Sequence, residues 1–172
     1  LSHIQAEDFD TGGEGVAYSD TSDGNYGGSY RATNVDIQEA DDVDGGYNVG
    51  WIEPGEWWEY TVEVPERGDY PLQARVAGMN DTSLYVAGDG EQVATVDVPD
   101  TGGWQDWTTV ESDVVTLPAG THTIRLTANG GSFNLNWFGF EGARDQSAYA
   151  DHDLSRVQAE DFDTGGEGVA YE

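Results

Sequence analysis

Glu56-Trp57-Trp58-Glu59-Tyr60-Thr61-Val62-Glu63-Val64 alternates without interruption. In an extended chain successive side chains point to opposite faces, so Trp58, Tyr60, Val62 and Val64 share one side and Trp57, Glu59, Thr61 and Glu63 the other. One side is apolar and the other is largely acidic and hydroxylic, which describes a half-buried β-strand. Pro65 and Gly68 mark a turn after it, and Tyr70, Leu72, Ala74 and Val76 then repeat the same period.

Working outward, the pattern predicts further strands at 82–87, 92–98, 107–116, 121–127 and 133–141. Gly and Pro turns such as Leu117-Pro118-Ala119-Gly120 separate them. In the strand at 121–127, His122, Ile124 and Leu126 share an apolar face, where His122 reads as a satisfied core histidine. Residues 12–30 are rich in Gly, Ser and Asp and read as loop with one short strand, and no segment reads as a helix. Short strands about every ten residues predict an all-β fold, a two-sheet antiparallel sandwich.

The chain carries 34 acidic residues against 6 basic ones, all Arg, for a formal net charge of -28. Aromatic residues at 12% argue against the disorder that such acidity often accompanies. The remaining reading is a surface adapted to brine, where a Debye length of roughly 3 Å screens the self-repulsion. Duplex nucleic acid is excluded as a partner, because phosphate binding needs basic patches. No apolar run approaches the ~20 residues of a membrane helix. Asn80-Asp81-Thr82 is a glycosylation sequon following Gly78, which points to an extracellular location.

The opening of the chain returns near its end. Residues 1–18 and 154–171 differ only at His3/Arg156 and Ile4/Val157. This predicts a module over 1–141, a polar linker at 142–153, and the start of a second near-identical module at 154–172. Leu1 at the start implies a longer or processed product. Tandem modules gain avidity on repetitive ligands.

Five runs in order resemble the family 6 carbohydrate-binding modules across roughly residues 3–141. They are Gln5-Ala6-Glu7-Asp8-Phe9, Asp44-Gly45-Gly46-Tyr47-Asn48-Val49-Gly50-Trp51-Ile52, Gly55-Glu56-Trp57-Trp58-Glu59-Tyr60, Thr101-Gly102-Gly103-Trp104-Gln105-Asp106-Trp107 and Phe133-Asn134-Leu135-Asn136-Trp137. The resemblance implies a jelly-roll β-sandwich, a structural Ca²⁺, and a sugar cleft formed by loops at one end. It also implies a non-catalytic role beside enzymes that act on plant or algal polysaccharides.

A pyranose has an apolar C–H face and a rim of hydroxyls, so its site wants flat rings and oriented amides. By the resemblance, Tyr47 and Trp104 clamp the sugar ring and Asn134 supplies the amide. Trp57 marks a possible second surface on a sheet face, whereas Trp58, Trp107 and Trp137 read as core. Gln5 and Glu7, two apart on a strand, face one way and suit a hard, oxygen-loving cation. The resemblance places Ca²⁺ there, completed by Asn136 and backbone carbonyls near Arg31. Asp42-Val43-Asp44-Gly45-Gly46 lacks a calcium loop's ligand spacing and reads as an acidic turn.

Catalysis finds no support. The chain has no Cys and no Gly-Lys phosphate loop, and His3, His122 and His152 have no triad or zinc spacing. Two functions remain. One is polysaccharide binding (xylan or β-glucan) as a tandem module of a secreted, salt-adapted protein. The other is a structural or adhesive repeat, its copies joined by exchange of the strand that residues 154–171 duplicate, with Gln158 and Glu160 repeating Gln5 and Glu7.

Overall fold

The computed structural model describes residues 3–43 and 45–142. The expected linker beyond Gly142 and the repeated segment at 154–172 lie outside the described residues.

Among the described residues eleven strands form two antiparallel sheets. They are β1 (Ile4–Gln5), β2 (Tyr18–Ser19), β3 (Ile37–Glu39), β4 (Tyr47–Val49), β5 (Trp57–Val64), β6 (Gly68–Gly78), β7 (Thr82–Gly88), β8 (Glu91–Val98), β9 (Thr108–Leu117), β10 (Gly120–Ala128) and β11 (Phe133–Phe140). The first sheet runs β3-β4-β11-β6-β9, with β1 also paired to β11, and the second runs β2-β5-β10-β7-β8. Apart from the neighbours β3/β4 and β7/β8, strands consecutive in sequence cross between the sheets, which gives the expected jelly-roll sandwich.

The alternation at 56–64 is observed as read. Trp58, Tyr60, Val62 and Val64 are buried, while Trp57 and Glu59 stay partly exposed and Thr61 and Glu63 exposed. The inward faces of both sheets merge into one apolar core that includes Phe133, Phe138 and Phe140 of β11 and Ile124 and Leu126 of β10. Burial of this kind contributes roughly 25 cal/mol per Å² of apolar surface, and the alternating strands can bury it only by stacking sheet on sheet.

The opening segment differs from expectation. Only Ile4 and Gln5 are extended, and Ala6–Asp8 form a single 3-10 turn. Gln5 and Glu7 therefore do not share a strand face. The turn forms because segment 3–18 must leave the first sheet and reach the second. On the way Tyr60 Oη donates to Ala6 O, Asp10 N to Glu59 O and Glu59 N to Ala17 O.

Trp107 and Trp137 also depart from the core reading. Trp107 sits half-exposed before β9 and donates its indole N–H to Gln105 Oε1 at 3.1 Å. A bulge between Leu135 and Trp137 breaks the alternation of β11, so Trp137 turns outward and stacks on His3 at 4.0 Å between centroids. His122 is half-buried at the end of β10. One ring nitrogen faces Asp89 Oδ2 at 2.7 Å and the other faces Pro118 O at 2.9 Å. Two acceptors on one imidazole favour the doubly protonated ring, and the Asp89 carboxylate raises its pKa.

Candidate functional site

The loops at one end of the sandwich enclose a cavity of about 380 Å³ lined by Gln38, Trp51, Ile52, Glu53, Trp104, Ser132 and Asn134. Trp51 and Trp104 remain 48% and 47% exposed. Two large rings left open to water at a concave site, with amides between them, form a surface suited to a flat, hydroxylated ring.

Each ring is held from behind. Gly102 has φ +88° and lets the chain turn into Trp104, while Thr101 N donates to Gly78 O at 2.9 Å. Asn134 Nδ2 donates to Trp104 O at 2.6 Å, and Gln105 Nε2 to Asn48 Oδ1 at 3.3 Å. Asn134 thus positions the Trp104 loop, and its oxygen and second amide hydrogen remain to meet a ligand.

Trp51 occupies the left-handed region at φ 48°, as does Ser132 at φ 71°. Such a conformation costs on the order of 1–3 kcal/mol in a side-chain-bearing residue and persists only when its surroundings impose it. Here Ser132 N donates to Ile52 O at 2.7 Å and locks the two loops together. Behind Trp51, a Cβ on Gly50 would meet Asn134 Oδ1 at 3.1 Å and Gln38 Nε2 at 3.3 Å. A side chain at 50 would press these amides outward by a few tenths of an ångström, so the glycine lets them sit close beneath the chain.

Of the expected sugar residues, the structure brings Trp104 and Asn134 together and leaves Tyr47 out. Tyr47 begins β4 instead of sitting in the Gly45-Gly46 turn, so its ring packs beside the core and against Tyr30 at 5.0 Å. Its neighbour Asn48 takes the opposite face. Trp51, not Tyr47, stands in the cavity with Trp104, and Gln38 was also missed. Flanking Gly50 and the Pro54-Gly55 turn were the available sign that Trp51 rides on a loop.

Trp57 is partly buried on the outer face of the second sheet. The Arg125 guanidinium lies 3.8 Å from its ring centroid and is itself bonded to Glu59 Oε1 at 2.6 Å. One face of this ring is therefore already covered. Asn80 is exposed in the turn between β6 and β7.

Beside the start of β4, Glu7 is 4% exposed and its Oε2 has no hydrogen-bond partner. Burial raises its carboxyl to about 7, with the Asp8 charge adding to the effect and backbone N–H groups opposing it. An oxygen isolated in this way fits a hard cation. Arg31 lies alongside and donates to the carbonyls of Glu7 and Phe9. Asn136 is drawn elsewhere through its amide nitrogen, which donates to Asp42 Oδ2 at 2.9 Å. Asp42 also takes a bidentate pair from Arg75, and that guanidinium holds its carboxyl at about 2. Among the described residues no three acidic or His side chains converge on one point, so a Ca²⁺ here would rest on Glu7, Gln5 and carbonyl oxygens.

A family model for carbohydrate binding module (family 6) matches residues 5–142. The clotting factor G alpha subunit of Tachypleus tridentatus is 31% identical over 155 residues, covering 80% of this chain and 23% of that protein. A β-1,3-glucan-binding module from Bacillus halodurans superposes with TM-score 0.64 at 30% identity, covering 82% of this chain and 96% of the other. A module of Cellvibrio mixtus lichenase 5A in complex with cellotriose also gives 0.64, at 34% identity, covering 83% and 97%.

Proposed function

The chain belongs to carbohydrate-binding module family 6, and from that membership we propose that it binds a neutral β-linked polysaccharide, a β-glucan or xylan, without catalysing a reaction. The observation that carries this reading is the exposed pair Trp51 and Trp104 across a cavity floored by the amides of Gln38 and Asn134. The rings would stack on the apolar faces of a sugar while the amides take its hydroxyls, an exchange that needs no net charge on the ligand. With a formal charge of -28, the chain repels polyanionic glycans at modest salt.

The similar proteins support the ligand class. One is described as binding β-1,3-glucan, one holds cellotriose, and an endo-1,4-β-xylanase of Thermoclostridium stercorarium is 29% identical over 172 residues. This chain spans 23% of that xylanase, so attachment to an enzyme, an extracellular location and service in brine are parts of the proposal.

Ca²⁺ would be held by Glu7 and Gln5 with carbonyl oxygens near Arg31, and Asn136 would join only by its oxygen. Bound there, the ion would supply charge compensation for the buried Glu7 carboxylate and tie the opening turn to β4. Thermal melts with and without millimolar calcium test this, with a rise in Tm expected from mass action. An unchanged Tm sinks the ion.

The binding test is retention on xylan, β-1,3-glucan, cellulose and chitin in molar salt, comparing wild type with Trp104→Ala. Retention on one β-glucan or on xylan that vanishes in the variant is expected. A folded wild-type protein retained on none of them would refute the reading.

A further inference from the structure

Trp104 and Gln105 are neighbours in sequence but line different concavities. Trp104 lines the cavity described above, whereas Gln105 lines a second, wider groove of about 580 Å³. The loops at 41–43 and 99–107 form this groove together with Arg75 of β6 and Thr108 of β9. Its volume falls within the roughly 300–1,000 Å³ of ordinary ligand sites.

A run of amides joins the two concavities. Under the cavity the side-chain amides of Gln38, Asn134 and Asn48 gather round Gly50. Asn48 Oδ1 accepts from Gln105 Nε2 at 3.3 Å. Gln105 Oε1 in turn accepts the Trp107 indole N–H at 3.1 Å and the Asp41 backbone N–H at 2.7 Å. Gln105 therefore fixes Trp107 and the loop at 41 to the same buried amides that floor the cavity. The two concavities are parts of one braced surface, with Trp104 standing between them.

The groove repeats the chemistry of the cavity. Trp107 is half-exposed and its N–H is already engaged, so what it offers the groove is its ring. The charges of Arg75 and Asp42 cancel in a bidentate pair, with side chains 19% and 5% exposed. The carboxylates of Asp41 and Asp106 are exposed at the groove. A flat ring takes the apolar face of a pyranose, and carboxylate oxygens accept from its hydroxyls.

We propose that this groove continues the glycan site: Trp107 is a further stacking platform, and Asp41 and Asp106 accept hydroxyls from sugar residues beyond the one held between Trp51 and Trp104. This rests on the glycan-binding reading above and narrows it. The ligand is a chain of several residues that passes Trp104 and lies on Trp107.

The test is calorimetric titration with the trisaccharide and the hexasaccharide of the β-1,3-glucan, cellulose and xylan series. In the series that binds, wild type should prefer the hexasaccharide by more than about tenfold, the scale of one further aromatic contact with its hydroxyl bonds. Trp107→Ala should reduce that preference to the small excess that extra binding registers allow. Trp107→Phe, which keeps a ring and loses the N–H, should retain most of it. Asp41→Ala, which keeps the backbone bond to Gln105, should lower it by about threefold. Trp104→Ala should weaken both oligomers. Equal affinity of wild type for the two lengths would overturn the extension and leave the cavity reading intact. So would a length preference that survives Trp107→Ala. A Trp107→Ala or Trp107→Phe variant that weakens both oligomers alike would make Trp107 a brace for Gln105 and overturn its role as a platform. Binding of no oligomer in any series would refute the glycan reading and the extension with it.

Discussion

The loop-borne rings of Trp51 and Trp104 and the strand-borne ring of Trp57 differ in what already touches them. Trp57 stands on a sheet face, where cross-strand neighbours are fixed at close range, and Arg125, held by Glu59, covers one face of it. Trp51 and Trp104 stand on loops from different parts of the chain, braced from behind by Asn134, Ile52 and Gly78 and left open in front. A sheet face satisfies its own side chains through regular pairing, whereas loops can hold rings in a geometry that leaves them unsatisfied until a ligand arrives. The strain at Trp51 fits the second case.

The comparison breaks most visibly at the cleft. Trp51→Ala and Trp104→Ala should each weaken glycan binding by about 30-fold or more, the scale of a buried aromatic anchor. Tyr47→Ala, measured by the same calorimetric titration, should stay within about threefold of wild type. A Tyr47 effect as large as that of Trp51 would restore Tyr47 to the site.

A smaller effect is expected behind the rings. Asn134→Ala removes the bond that positions Trp104 and should weaken binding about fivefold to tenfold, near the value of one or two hydrogen bonds. A loss as large as that for Trp104→Ala would make the Asn134 amide an anchor equal to the ring.

Trp57→Ala should leave affinity within about twofold and the stoichiometry at one glycan per chain. It should lower stability by about 1 kcal/mol through the lost cation–π contact, read by urea unfolding. A second calorimetric site abolished by this substitution would make the sheet face a binding surface and erase the contrast.

The smallest effect belongs to the His122–Asp89 contact at the far end of β10. The pKa of His122 is raised in the fold, so its contribution is complete below the ordinary value near 6.5 and is lost as pH rises through the folded pKa. That of Asp89 is lowered, so its contribution is present above about 4 and is lost as pH falls further. Tm should therefore decline slightly on the alkaline side in wild type but not in His122→Gln, with glycan retention flat in both. An equal decline in the variant would remove His122 as the cause.

Legibility in the sequence followed regularity. The alternation at 56–64 and 121–127 placed Trp58, Tyr60, Ile124 and Leu126 in the core, because a period of two admits a single inward face. Trp137 escaped that logic through a bulge that no pattern announces, and Glu7 escaped through a 3-10 turn forced by the crossing between sheets. At the site, Trp104 and Asn134 were legible from their motifs. Tyr47 falls outside the cavity because the strand begins at Tyr47 itself, directly after the glycines.

The sequence by itself determined that the chain is a two-sheet antiparallel sandwich, that it carries aromatic loops, and that its opening segment is duplicated. These follow from local period, turn chemistry and identity of residues, which need no knowledge of distant neighbours. Only the tertiary structure decided that Trp51 meets Trp104 over Gln38 and Asn134, and that Arg125 covers Trp57. Those groups come from segments far apart in the chain, and their meeting depends on loop angles and strand register that arise when two sheets pack on a common core.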